Sequence, residues 1–84
     1  MAEKYYTYVL KSLKSGKTYI GQTNNLENRL QAHNAGLSPY TKGRGHWKLI
    51  YYEEFSSRSD AMAREKYFKT GKGREFLTNI SDDG

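Results

Sequence analysis

Two tyrosine-bearing tripeptides, Tyr6-Thr7-Tyr8 and Tyr19-Ile20-Gly21, stand with ten residues between Tyr8 and Tyr19. Inside that interval the run Lys11-Ser12-Leu13-Lys14-Ser15-Gly16-Lys17 is polar and carries a glycine, the composition of a hairpin turn. Two extended segments therefore run back along one another and bring phenol groups side by side. From Tyr5 to Lys11 the alternation puts Tyr6, Tyr8 and Leu10 on one face and Tyr5, Thr7 and Val9 on the other. The partner segment, Thr18 to Thr23, likewise has side chains to pack on two faces.

Beyond the hairpin, Asn24 with Glu27 three residues later has the pattern of a capping box. Leu26, Leu30, His33 and Leu37 then recur at helical spacing, with Gly36 ending the helix. Leu37 to His46 reads as a loop carrying Pro39, Gly43, Gly45, Lys42 and Arg44, positively charged and able to fold over a phosphate backbone. Trp47 to Phe55 reads as a third strand, with Trp47, Leu49, Tyr51 and Phe55 alternating and Ile50 and Tyr52 on the opposite face. Ser57-Arg58-Ser59-Asp60 caps a second helix running to about Lys69. Gly71 and Gly73 separate it from a short last helix around Arg74 to Asn79. The order is β-β-α-β-α-α, with no internal repeat and no linker dividing the chain.

At 84 residues the chain is sized for one domain, and such a domain buries roughly 60–65% of its unfolded surface. The absence of cysteine excludes a disulfide framework, a thiolate zinc site and a cysteine nucleophile. No run of ~18 apolar residues occurs, which makes a cytoplasmic protein without membrane association the expectation. Fourteen basic against nine acidic residues leave a net charge of +5, which favours a polyanionic partner, nucleic acid first.

On the second helix Ala61, Met62 and Phe68 mark an apolar stripe, and Glu65 falls near its centre. A buried unpaired carboxylate is costly, so Glu65 must be paired, protonated, metal-bound or at the lip of a cleft. On the first helix His33 lies on the Leu26 and Leu30 stripe, with Arg29 at its edge. If the helices cover the sheet face carrying Tyr8 and Tyr19, two phenols, a guanidinium, an imidazole and a carboxylate meet. That set suits phosphodiester hydrolysis: one carboxylate can hold a hard divalent cation, a guanidinium fork can take up phosphoryl charge, and a phenol can orient or deprotonate water.

Each of these residues also has a plainer reading. Strand tyrosines usually pack their rings, and a lone half-buried histidine is commonly a satisfied structural group. Arg29 and Glu65 together would make a structural ion pair. Lys42, Arg44 and the five bases Arg64, Lys66, Lys69, Lys72 and Arg74 are by default solvated charge, though the latter group also makes a phosphate-tracking surface. The Gly71-Lys72-Gly73 turn lacks the length of a phosphate-binding loop.

The two tripeptides at this spacing, followed by Arg29, His33 and a helical Glu65, closely resemble the GIY-YIG nuclease superfamily over essentially the whole chain. The likeness is greatest to small stand-alone bacterial members, similar to the N-terminal nuclease domain of the excision-repair incision subunit. The resemblance implies an α+β fold, a three-stranded antiparallel sheet flanked by helices. It further implies a DNA endonuclease using one divalent ion, Mg2+ or Mn2+, with a role in repair or recombination. It makes Tyr8 and Tyr19 the motif tyrosines, with Tyr8 activating water, Arg29 clamping the scissile phosphate, His33 assisting and Glu65 holding the metal. Gly21 would allow close backbone approach, and Asn79 stands near the place of a late asparagine in several members. Tyr6 and Thr7 replace the first glycine and isoleucine of the motif, and Gln22 stands where repair-type relatives tend to place lysine.

Three functions follow: a metal-dependent endonuclease, a non-catalytic nucleic-acid-binding module on the same fold, and, with least support, a protein adaptor. The domain is too small for a separate DNA-recognition element, so specificity would come from a protein partner or self-association.

Overall fold

The computed structural model describes residues 3–14, 16–35 and 46–82. The loop carrying Lys42 and Arg44, and the helix-ending Gly36 with Leu37, lie outside the described residues. Strands β1 (Tyr5–Ser12), β2 (Thr18–Thr23) and β3 (Trp47–Phe55) form one antiparallel sheet in the order β2-β1-β3. Helices α1 (Leu26–Asn34), α2 (Arg58–Phe68) and α3 (Gly71–Asp82) complete the order β-β-α-β-α-α. This is the α+β architecture expected from the sequence.

The hairpin closes where its composition places it. The Ser12 amide donates to the Lys17 carbonyl at 2.8 Å and the Gly16 amide to the Ser12 carbonyl at 2.9 Å. Gly16 has φ of 75°, a left-handed conformation open to glycine at little cost. The first helix is capped by Asn25 rather than Asn24, its side chain accepting from the Asn28 amide at 3.1 Å. The cap moves one residue because Asn25 has the extended backbone a cap requires. Ser57 caps α2 as expected, accepting from the Asp60 amide.

The two faces of the sheet are covered by different helices. Tyr8, Leu10 and Trp47 pack with Tyr19, Leu26, Leu30 and Leu49 beneath α1. Val9, Phe68 and Leu77 pack with Ile20, Ile50, Tyr51, Phe76 and Ile80 beneath α2 and α3. Because β1 alternates sides residue by residue, α1 and the α2-α3 pair lie on opposite faces rather than together over Tyr8 and Tyr19.

Two sequence expectations fail here for one reason, a change in register or phase. Trp47, Leu49 and Tyr51 do not share a face: β1 pairs Leu10 with Leu49 but Val9 with Tyr51, so Ile50 is the extra residue of a β-bulge. The bulge turns Tyr51 to the α2-α3 side. On α2, Met62 is not part of the buried stripe but 48% exposed, while Ala61 and Phe68 are fully buried. Thr7 sets that rotation by donating its hydroxyl to the Ala61 carbonyl at 2.6 Å.

The last helix is longer than the expected Arg74 to Asn79 and takes in both glycines. Thr70 begins it, its hydroxyl accepting from the Gly73 amide at 3.2 Å. Gly73 serves close packing rather than a break, since a Cβ there would fall 2.1 Å from the Tyr67 carbonyl oxygen. Arg64 is not solvated charge: it grips Glu53 through two hydrogen bonds of 2.7 and 3.1 Å and lies over Phe68 and Tyr67. Burial opposes ionisation of Glu53, but the bonds from Arg64 and Tyr51 outweigh it and hold the carboxyl below its usual range. Among the described residues no helix is long and apolar enough to cross a membrane.

Candidate active site

Tyr8 is the centre of the cluster. It sits in the middle strand, 1% exposed, with its cross-strand partner Gly21 beside it. A Cβ at Gly21 would stand 2.6 Å from the Tyr8 hydroxyl, 2.8 Å from its Cζ and 3.1 Å from Tyr19. The group that closely approaches Gly21 is therefore the Tyr8 phenol, which lies across the edge strand in space that any side chain would fill.

Two residues of α1 meet that phenol. His33, 1% exposed, places Nε2 at 3.1 Å from the Tyr8 oxygen, and Arg29 donates from Nε to the same oxygen at 3.4 Å. They stand one turn apart, so both reach toward one strand position. Tyr19 closes the group, its ring centroid 4.6 Å from that of His33 and 6.2 Å from that of Tyr8. The end of α1 is fastened by Asn34, whose side chain accepts from the Trp47 amide at 2.6 Å and donates to the Trp47 carbonyl at 3.1 Å. No sequence motif marks Asn34; its role arises because β3 returns to it.

The protonation pattern follows from these contacts. Burial pushes the Tyr8 phenol up to about 12, the Arg29 hydrogen bond and charge pull it down, and Tyr19 and the Glu65 carboxylate push with burial. Burial, then the Arg29 charge, holds the His33 imidazole below its ordinary value. Arg29 is favoured as a cation, chiefly by its bond to Tyr8. At neutral pH the triad is thus a protonated phenol, a neutral imidazole and a guanidinium. Arginine can only donate, so the Tyr8 oxygen accepts from Arg29, while the direction of its bond to His33 Nε2 is set by the imidazole tautomer.

Glu65 stands on α2, which packs on the other side of the sheet. It is half-buried on the helix face shared with Ala61 and Phe68, and its charge bears on Tyr8. Its carboxylate accepts from the Lys69 ammonium at 2.8 Å. No ion pair joins Arg29 to Glu65, so the structural pairing of those two is not what the fold builds. Among the described residues no three His, Cys, Asp or Glu side chains gather as a metal cage. A single half-buried carboxylate suits a hard cation that completes its shell with water and substrate phosphate, not an ion needing an all-protein set.

The other expected residues divide. Lys69 joins the site through Glu65, whereas Lys72 is exposed in the first turn of α3. Asn79 lies on the exposed side of α3 with no described contact to the cluster. Lys42 and Arg44 lie outside the described residues.

Residues 4–79 match the family model of the GIY-YIG catalytic domain. A UPF0213 protein of Clostridium perfringens is 49% identical over 77 residues, covering 90% of this chain and 82% of that protein. A UPF0213 protein of Staphylococcus haemolyticus is 42% identical over 80 residues, covering 94% and 96%. The solution NMR structure of a UPF0213 protein from Bacillus halodurans is similar with a TM-score of 0.54 and 31% identity, over 92% of this chain and 84% of that one.

Proposed function

Because this chain belongs to the GIY-YIG catalytic domain family, we propose that it is an endonuclease hydrolysing DNA phosphodiester bonds with one divalent ion, Mg2+ or Mn2+, held by Glu65. The observation that carries this reading is the Tyr8 hydroxyl, bonded at once to His33 and Arg29 beside Tyr19. A buried phenol hydroxyl takes a hydrogen-bond partner in any fold; here the partners are a histidine and an arginine one turn apart on α1, a proton acceptor and a phosphate-binding cation.

In this reading Tyr8 receives a proton from the attacking water while its own proton passes to His33 Nε2. The water oxygen forms the new bond to phosphorus, the bond to the leaving oxygen breaks, and the proton held by His33 returns to solvent or to that oxygen. A neutral His33 is the state able to accept it. The free N–H groups of Arg29 bind the phosphoryl oxygens as their charge grows. A divalent ion supplies charge neutralisation at the phosphate and acidifies water. Residues 1–84 act as one nuclease domain, with substrate choice supplied by a partner or by self-association.

The test is cleavage of single-stranded, duplex and branched DNA with and without manganese. Wild type cuts only with the metal, and Arg29→Ala or Glu65→Ala lowers the rate about 10²–10³-fold while circular dichroism stays native. Undiminished cleavage by Glu65→Ala would exclude the mechanism. Salt-sensitive binding without any cleavage would favour the non-catalytic module.

A further inference from the structure

A cleft of about 930 Å³ opens between the β1-β2 hairpin and the α2-α3 pair, beside the candidate active site. Its walls carry four cations from four places in the chain: Lys11 on β1, Lys17 after the turn, Lys69 at the end of α2 and Arg74 in α3. None of its lining residues is acidic. Among the described residues no carboxylate lies within ion-pairing distance of Lys11 or Arg74. Gathering like charges around a concavity opposes folding, so this arrangement calls for an anion spread along it.

We infer that this cleft seats a single strand of nucleic acid running to or from the scissile phosphate, a reading that rests on the nuclease function proposed above. Two lining residues connect the cleft to the candidate site: Tyr19 belongs to both, and Lys69 holds Glu65. Ile20 and Leu77 give the cleft an apolar floor on the α2-α3 side of the sheet. The volume matches a ligand of small-molecule size, which is a few nucleotides of one chain. The substrate class is DNA with an unpaired flank next to the cut.

The experiment measures binding of a labelled single-stranded oligonucleotide and a blunt duplex in chelator across a salt series, so that neither metal nor cleavage enters. Lys11→Gln combined with Arg74→Gln is compared with wild type and with Lys4→Gln, which lies beyond the opposite end of β1. The double variant is expected to lower the slope of log affinity against log salt for the single strand by about 1.4, roughly 0.7 per lost contact. The duplex slope and Lys4→Gln should match wild type. Equal losses on both nucleic acids, or an equal loss in Lys4→Gln, would overturn the cleft as a single-strand seat. An unchanged single-strand slope with tight wild-type binding would also overturn it, leaving the nuclease reading intact. Failure of wild type to bind the single strand would overturn the cleft as its seat, while the nuclease reading stands or falls on the metal-dependent cleavage assay above.

Discussion

Tyr8 combines a proton held to about 12 by burial with an acceptor, His33, kept neutral by the same burial. In the proposed mechanism the phenol is therefore a conduit rather than a resident phenolate. Tyr8→Phe keeps the ring in place and removes the hydroxyl, so the cleavage rate should fall about 10²–10⁴-fold, with a stability loss of about 1–3 kcal/mol because the buried His33 loses that hydrogen bond. Ultraviolet titration should at the same time lose the last phenol to ionise. The folded-state value lies above the ordinary one, so the stability tied to this proton is present below pH ~10 and is lost as pH rises through the folded value. Gly21 is the counterpart of this geometry. Gly21→Ala places a methyl 2.6 Å from the Tyr8 hydroxyl, and denaturant unfolding should register a loss of about 1–3 kcal/mol.

Two glycines at the start of α3 separate the effects that a glycine can have on an element. Gly73 faces Tyr67 and the Phe68 Cα at 2.1 and 2.5 Å, whereas Gly71 has nothing within 4 Å and no left-handed φ. Opposite signs are expected in thermal melts. Gly73→Ala forces α2 and α3 apart and destabilises by about 1–3 kcal/mol, while Gly71→Ala stabilises by about 0.4–1 kcal/mol through the unfolded chain. The bulge at Ile50 works at the same scale. One additional residue in β3 turns Tyr51 from the Trp47 side to the Phe68 side, where it meets Phe76 and Glu53.

For the whole molecule, the burial of His33 between sheet and α1 links stability to acidity. Its folded value lies below the ordinary ~6.5, so the unfolded chain binds the proton more readily. The associated stability is complete above that pH and declines as pH falls through the folded value. Melting temperatures recorded downward from neutral pH should drop, and His33→Gln should flatten the decline over that window. An identical pH profile in His33→Gln would assign the acid sensitivity to other groups. The same placement explains why the site spans both sides of the sheet: α1 brings Arg29 and His33, α2 brings Glu65, and Gly21 leaves the passage between them narrow enough for one phenol.

The sequence alone determined the local features of this protein: the strand alternation around Tyr8, the turn at Gly16, the Ser57 cap, and the pairing of Arg29 with His33 one turn apart. These depend on neighbours within a few residues, where side-chain chemistry and backbone preference act directly. Only the tertiary structure decided what touches what across the chain. It placed α1 and α2 on opposite faces, pressed the Tyr8 ring over Gly21, turned Met62 outward, committed Arg64 to Glu53, and drew Lys11, Lys17, Lys69 and Arg74 around one cleft. Each of those outcomes follows from register and helix rotation, in which a slip of one residue sends a side chain to the other face. Such a slip is resolved by the packing of distant segments, not by the residues next to it.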